Sequence, residues 1–210
     1  MSLSREAGAF AVDWSVSRET SERLEAYVAL LRKWNPHINL VSPRSLDAVW
    51  DRHIADSAQL LDLAAGPWST WADIGSGGGL PGVIVAILSA DVGLRGGVTL
   101  VESDSRKAAF LGEVSRACGV SFEVVCGRAE TAGPLSADVL SARALAPLVE
   151  LLEFADRHVE PQGICLFPKG ETVHTEIEVA RSRWWFEPRL HASRTNAGSF
   201  IVEIGEFERV

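Results

Sequence analysis

The stretch WADIGSGGGLPGVIVAI, residues 71–87, packs four glycines between Gly75 and Gly79, directly after a short apolar run and directly before a longer one. Ordering a glycine costs more backbone entropy than ordering any other residue. A loop this rich in glycine implies that something approaches the main chain closely. An apolar strand, a glycine loop and an apolar helix, in that order, open a strand–helix–strand unit. The ligand of such a unit lies in the crevice at the carboxyl edge of the sheet, beside the free N–H groups of the helix.

Downstream the pattern repeats. Strands are expected at 70–74, 98–102, 122–126, 138–142 and 164–168, and helices at 81–89, 105–118 and 145–159. That alternation predicts a mostly parallel sheet with helices on both faces. Residues 184–193 and 199–207 read as two further strands around Thr195-Asn196-Ala197-Gly198, forming an antiparallel hairpin. The expected class is α/β, a Rossmann-like, mostly parallel sheet ending in an antiparallel hairpin.

Upstream, residues 17–34 form an amphipathic helix with Leu24, Tyr27, Val28, Leu31 and Trp34 at spacings of three and four. Asn35-Pro36 is expected to end it, because a residue before proline is pushed out of the helical region. A second helix is expected over 45–63, burying Trp50, Ile54, Ala58 and Leu61. Five of the seven tryptophans lie at or before Trp71. Residues 1–66 therefore read as a helical extension packed on a main domain at 67–210.

Of the 210 residues, 47% are apolar and 23% charged, enough for one sizeable core. The net charge of −8 argues against a free-standing, non-specific nucleic-acid binder, whose affinity rests on neutralising phosphates. It leaves room for a nucleic-acid enzyme with a local basic face. Arginines number 17, against Lys33, Lys107 and Lys169. The excess reads first as codon bias and second as a supply of planar, bidentate contacts. Cys118, Cys126 and Cys165 lack CxxC spacing, so neither a disulfide framework nor a metal site is expected. They read as small buried hydrophobes. The N-terminus lacks the pattern of a signal peptide, and the apolar run 80–88 is too short to span a bilayer. The expected location is cytoplasmic, with no membrane partner.

The dinucleotide fingerprint GxGxxG would require glycine at 75, 77 and 80, but position 80 is leucine. The chain instead has GxGxG, with Gly75, Gly77 and Gly79 around Ser76, and Asp73 two residues before. This is the form found in S-adenosylmethionine (SAM) enzymes. Their ligand carries an amino-acid end, a sulfonium cation and an adenosine, and no pyrophosphate. Asp73 is expected to orient the loop or to accept a hydrogen bond from the ligand's ammonium group. Glu102, ending the second strand, is placed to accept the ribose hydroxyls. The third strand ends at Cys126-Gly127-Arg128-Ala129-Glu130, where adenine lies by topology.

Several stretches together resemble one family: LRKWNPHINLVS (30–41), DRHIADS (51–57), ADIGSGGGLPGVIVAI (72–87), VESDSRKAAFLGEV (101–114), GRAE (127–130), LSARALAPL (140–148) and PKGE (168–171). They are similar to the RsmG, or GidB, family of bacterial 16S ribosomal RNA methyltransferases, from about residue 24 onward. The resemblance implies a SAM-dependent methyltransferase fold and methylation of a guanine N7 in small-subunit rRNA. It implies cofactor contacts from Gly75, Leu80, Ala129, Glu130 and Arg143, and it supports the ribose role of Glu102. Guanine N7 carries an in-plane lone pair and no proton. No catalytic base is therefore expected, and positioning falls to Arg143.

Arg143, Lys169, Arg44 and Arg128 are the candidates for holding RNA, Lys169 being expected exposed after the fifth strand. In DRHIADS, Arg52 and Asp56 are expected to be i,i+4 partners pointing away from the Trp50/Ile54 stripe, and His53 reads as packed and hydrogen-bonded. ARSRWWFEPRLHASR (180–194) is either an aromatic stacking platform for RNA or a strand with alternate rings buried, the second being the simpler reading. The expected partner is 16S rRNA within the small subunit or an assembly intermediate, met by a monomer. The competing readings are a SAM enzyme acting on a protein or small molecule, an NAD-dependent oxidoreductase, and a non-catalytic regulator.

Overall fold

A computed structural model of the chain describes residues 3–64, 66–93 and 96–210. Met1, Ser2 and Ala65 of the expected N-terminal segment lie outside the described residues.

Five strands run parallel: β1 (Thr70–Ile74), β2 (Gly97–Glu102), β3 (Glu123–Cys126), β4 (Ala137–Ser141) and β5 (Val159–Lys169). Two more complete the sheet, β7 (Arg189–Ala192) and β8 (Phe200–Ile204), in the order β3-β2-β1-β4-β5-β8-β7. β8 is antiparallel to both of its neighbours. Strand order reverses between β1 and β4, which is where open α/β sheets bind ligands.

The tail departs from the expected pair of long strands. Glu187-Pro188 breaks the first into β6 (Trp184–Phe186) and β7, and Gly205-Glu206 separates β8 from β9 (Phe207–Arg209). β6 and β9 pair as a separate two-stranded sheet. Trp184 and Phe186 are buried while Trp185 is exposed, so the simpler reading of this arginine-aromatic segment holds.

Helices cover both faces. On one side α5 (Gly82–Asp91) and α6 (Ser105–Cys118) share an apolar cluster with the N-terminal segment. On the other, α7 (Leu148–His158) and α8 (Val173–Ala180) share a second cluster. Two helices escaped sequence reading: α8, and α1 (Arg5–Asp13).

α2 (Arg18–Ile38) runs through Pro36 instead of stopping before it. Proline withdraws one N–H donor, but the helix closes only two residues later. Asn35 helps to end it: its Oδ1 accepts from the Leu40 and Val41 N–H groups at 2.8 and 2.9 Å. Asn39 then turns left-handed at φ 48°. The expected single helix over 45–63 is three pieces: α3 (Pro43–Leu46), a wide π-helical turn at Trp50–Ala55, and α4 (Asp56–Leu63).

The N-terminal helices reach the glycine loop directly. Tyr27 of α2 is fully buried, and its hydroxyl donates to the Gly78 carbonyl at 2.7 Å. Leu31 of α2 lies in van der Waals reach of any Cβ at Gly78. Tyr27→Phe leaves that carbonyl without its donor and is expected to cost about 1–2 kcal/mol. In a chain of this size the fall in Tm is roughly 2–8 °C, read by thermal unfolding followed with circular dichroism. An unchanged Tm would show that the hydroxyl does not anchor the loop.

Candidate active site

The loop after β1 is fixed by two buried carboxylates. Asp73 has no exposed surface. Its Oδ1 accepts from the Ser141 hydroxyl at 2.7 Å, and Ser141 accepts in turn from the Trp71 indole at 2.9 Å. Its Oδ2 accepts from the Gly82 N–H, at the first turn of α5, at 3.3 Å. Glu102 closes the other side. Its Oε2 accepts from the Gly77 N–H and its Oε1 from the Asp104 N–H, both at 2.7 Å. The Gly127 N–H donates to the Glu102 carbonyl at 3.0 Å and joins the end of β3 to this cluster.

Gly82 explains the missing third glycine of the dinucleotide pattern. A Cβ there would overlap Leu100 and lie 2.8 Å from Asp73 Cβ. The close approach of helix to strand is made here, two residues after the position held by Leu80. Gly77 shows the opposite situation. It lines the main cavity with φ +54°, and the nearest atom to an added Cβ is the Gly75 carbonyl oxygen, 3.9 Å away. Its bare backbone faces open space that a ligand can fill.

Burial raises the Asp73 carboxyl to about 6, although hydrogen bonds from Ser141, Ser76 and Gly82 pull the other way. A raised carboxyl favours the fold at low pH. From about pH 4 to pH 6 the native chain keeps a proton that the unfolded chain has released, so this contribution is lost as pH rises through 6. Relative to Asp73→Asn, the wild type should be more stable at pH 4.5 than at pH 7.5 by about 2 kcal/mol. Urea unfolding of both proteins at the two pH values measures this, and equal gaps would place the titration elsewhere.

A cavity of about 1020 Å³ opens at the switch point. It lies at the upper end of the roughly 300–1,000 Å³ of small-molecule clefts. Of the sequence-predicted residues it gathers Gly75, Ser76, Gly77, Leu80, Arg143 and Lys169 on its walls. Asp73, Gly79, Glu102, Ala129 and Glu130 stand outside those walls. Glu130, Arg44 and Arg128 are exposed, and Ala129 is buried with its carbonyl 2.9 Å from His158 Nε2.

Three expectations are corrected. Lys169 is not an exposed cation: only 10% of its side chain is accessible. Its ammonium donates to Glu176 Oε2 and to the Ala146 carbonyl, each at 2.7 Å. Asp56 does not pair with Arg52. It meets Arg143 across 3.4 Å, because the π-helical turn changes the spacing on which the i,i+4 pair relied. Cys126 is exposed at the end of edge strand β3, unlike buried Cys118 and Cys165.

His53 is packed as expected, its Nε2 2.9 Å from the Ser45 hydroxyl. Burial first, then the Arg143 and Arg52 charges, push its pKa down to about 4. It is therefore neutral at physiological pH. Sequence reasoning missed Tyr27 and Ser141 as supports of the loop, and Asp56, Gln59 and Thr195 around Arg143. Tyr27 was hidden in an apolar stripe; Ser141 stood in the quoted LSARALAPL stretch without a partner to identify it.

A parallel sheet with an inserted antiparallel strand, and a carboxylate-braced glycine loop at its switch point, define the Rossmann-like fold of SAM-dependent methyltransferases. Solved structures agree. A SAM-dependent methyltransferase from Aquifex aeolicus matches with a TM-score of 0.56 at 16% identity, covering 75% of this chain and 92% of that one. The O-methyltransferase from Bacillus cereus in complex with SAH matches with a TM-score of 0.57 at 16% identity, covering 90% and 91%.

The family is narrower. Residues 20–198 match the family model described as rRNA small subunit methyltransferase G. The ribosomal RNA small subunit methyltransferase G of Ruegeria sp. (strain TM1040) is 51% identical over 95% of this chain and 97% of its own. The protein of that name from Gluconobacter oxydans (strain 621H) is 46% identical over 93% and 98%. The chain belongs to the rRNA small subunit methyltransferase G family.

Proposed function

We propose that the protein transfers a methyl group from SAM to N7 of a guanine in 16S rRNA of the small subunit. The observation that carries the cofactor assignment is the pair of carboxylates on the loop. Asp73 and Glu102 take the N–H groups of Gly82 and Gly77 that a pyrophosphate would need, and they place negative charge there. Negative charge beside the loop suits a ligand with a sulfonium and an ammonium group. Leu80, where the dinucleotide fingerprint needs glycine, counts against the NAD-dependent reading. The acceptor assignment rests on membership of a family whose relatives are named rRNA methyltransferases.

The residues fit the cofactor. Gly75, Ser76 and Gly77 would receive its methionine part, and Glu102, each of whose oxygens keeps a free lone pair, its ribose. Ala129 and Glu130 stand at the adjoining strand end for adenine, with Leu80 and Arg143 nearer the methyl. When bound, SAM supplies an electrophilic methyl group on a cationic sulfur. Guanine N7 has no proton to lose, so no side chain has to act as a base. The chain's task is to hold N7 in line with the methyl and keep water away, and alignment of this kind supplies several kcal/mol. Arg143 positions the base or its phosphate, and the exposed Arg128 and Arg44 extend the contacts along RNA.

No helix of the described residues is long and apolar enough to cross a membrane. We place the enzyme in the cytoplasm as a monomer acting on the small subunit or its assembly intermediate. The test is transfer from labelled SAM to small subunits lacking the modification, with naked 16S rRNA alongside and N7-specific strand cleavage of the product. One cleavage at one guanine is the expected result. Label at another atom would overturn the N7 assignment, and no label with SAM binding intact would redirect the search to protein or small-molecule acceptors.

A further inference from the structure

The DRHIADS stretch is left over once the cofactor site is built, yet its aspartate stands where three segments meet the cavity. Asp56, the first residue of α4, is mostly buried. Its Oδ2 faces Arg143 Nη1 at 3.4 Å. Its Oδ1 accepts from the Thr195 hydroxyl at 2.9 Å and from Gln59 Nε2 at 3.0 Å. Arg143 also donates to the Arg52 carbonyl at 3.3 Å, from the π-helical turn before α4. Both ends of the network therefore stand on the same segment.

Gln59 extends it. It is buried, its Nε2 reaches the Ser193 hydroxyl at 3.3 Å, and its Oε1 accepts from the Arg194 N–H at 3.0 Å. Outside the cavity Arg194 lies over the Trp14 ring, 5.4 Å from its centroid, and pairs with Asp62 at 2.8 Å. Residues 193–199 connect β7 to β8, and Ser193, Thr195, Asn196 and Ser199 line the same cavity as the glycine loop. Side chains from the N-terminal helices, as well as strand pairing, hold this turn in place.

We propose that Asp56 is a positioning residue: its two oxygens hold Arg143 and the 193–199 turn as one unit, the acceptor-side wall of the cavity. The inference rests on the methyl-transfer reading above and assigns it a residue outside the cofactor site. A carboxylate suits both tasks, since it accepts from a guanidinium on one oxygen and from two neutral donors on the other.

Two variants separate the two arms. Asp56→Asn keeps an oxygen for Thr195 and Gln59 but turns an amide N–H₂ toward Arg143. Methyl transfer to small subunits should fall by roughly 30-fold while SAM affinity stays within about threefold, and in an Arg143→Gln background the same change should cost under about threefold. Losses that multiply in the double variant, or a collapse of SAM affinity, would overturn the proposal. Thr195→Val removes the hydroxyl on the turn side, which meets Ser193 Oγ at 3.1 Å as well as Asp56. The Arg194 and Thr195 amides should then exchange with solvent about tenfold faster while β8 amides keep wild-type rates; unchanged rates at the turn would overturn that arm. Hydrogen exchange needs no acceptor. If the wild type labels no rRNA, the acceptor assignment fails while the exchange result still judges the coupling.

Discussion

Glu102→Ala is expected to raise the Kd for SAM by about 100-fold or more, or roughly 2.7 kcal/mol. The reason is the double duty of one carboxylate. It accepts the Gly77 and Asp104 N–H groups, each at 2.7 Å. A hydrogen bond to a charged group is worth about 1.5–3 kcal/mol. Removing both frees the loop at the residue that exposes its backbone to the cavity. It also releases Asp104, whose side chain caps α6 by accepting from the Arg106 N–H at 2.8 Å. The ribose loses its acceptor in the same step. Glu102→Gln keeps one good acceptor and is expected to lose about tenfold, because its amide must face one of two N–H donors. Equilibrium dialysis with labelled SAM measures both. An alanine variant that binds within threefold of wild type would show that Glu102 neither braces the loop nor meets the cofactor.

Gly82→Val is expected to destabilise the protein by about 3 kcal/mol or more, at the upper end of the cost of overpacking a core, and to remove cofactor binding with it. The added Cβ would overlap buried Leu100 and sit 2.9 Å from Asp73 Oδ2. Neither neighbour has room to retreat: Leu100 belongs to the central sheet, and Asp73 is held by Ser141. The helix must back away from β1, and the Gly82 N–H leaves Asp73 without one of its donors. Gly112→Ala in α6 supplies the contrast. Its Cβ would meet only Arg116 Nη1, at 3.8 Å, so helix propensity decides and a gain of about 0.5–1 kcal/mol is expected. Urea unfolding of the two variants should give opposite signs. A Gly82→Val protein as stable as wild type would mean that close packing is not what glycine serves there.

The parts of this molecule legible in the sequence are those fixed by near neighbours. β1, the glycine loop and α5 follow one another within about twenty residues, and each element's pattern confirms the next. Glu102 was found because topology brings the end of β2 beside the loop. The errors came where distant residues decide. Lys169 looked like an exposed cation until Glu176 of α8, an element not foreseen, was seen to hold it. Arg143 and Asp56 lie 87 residues apart in the chain, and no local pattern announces such a pair. Pro36 was read by its ordinary effect on the preceding residue, whereas Asn35 and Asn39 set the helix end two residues later. The break at Glu187-Pro188 was available in the sequence, but the period-two alternation of the rings around it favoured one long strand.

The placement of β8 has a consequence for synthesis. It is the last strand of the large sheet in chain order, yet it lies between β5 and β7. While a nascent chain is still emerging, the five parallel strands can pair, but the edge of β5 at Cys165, Leu166 and Phe167 remains open. An uncovered apolar edge invites pairing with other chains, and N-terminal parts fold first during translation. β7 cannot cover it, because among the described residues it pairs in the sheet with β8 alone. The turn at 193–199 closes only when residues 200–204 dock. The 193–199 wall of the cavity is therefore assembled only after β5 and β7 have been made, and premature stop codons before residue 200 should yield aggregating fragments instead of weak enzymes.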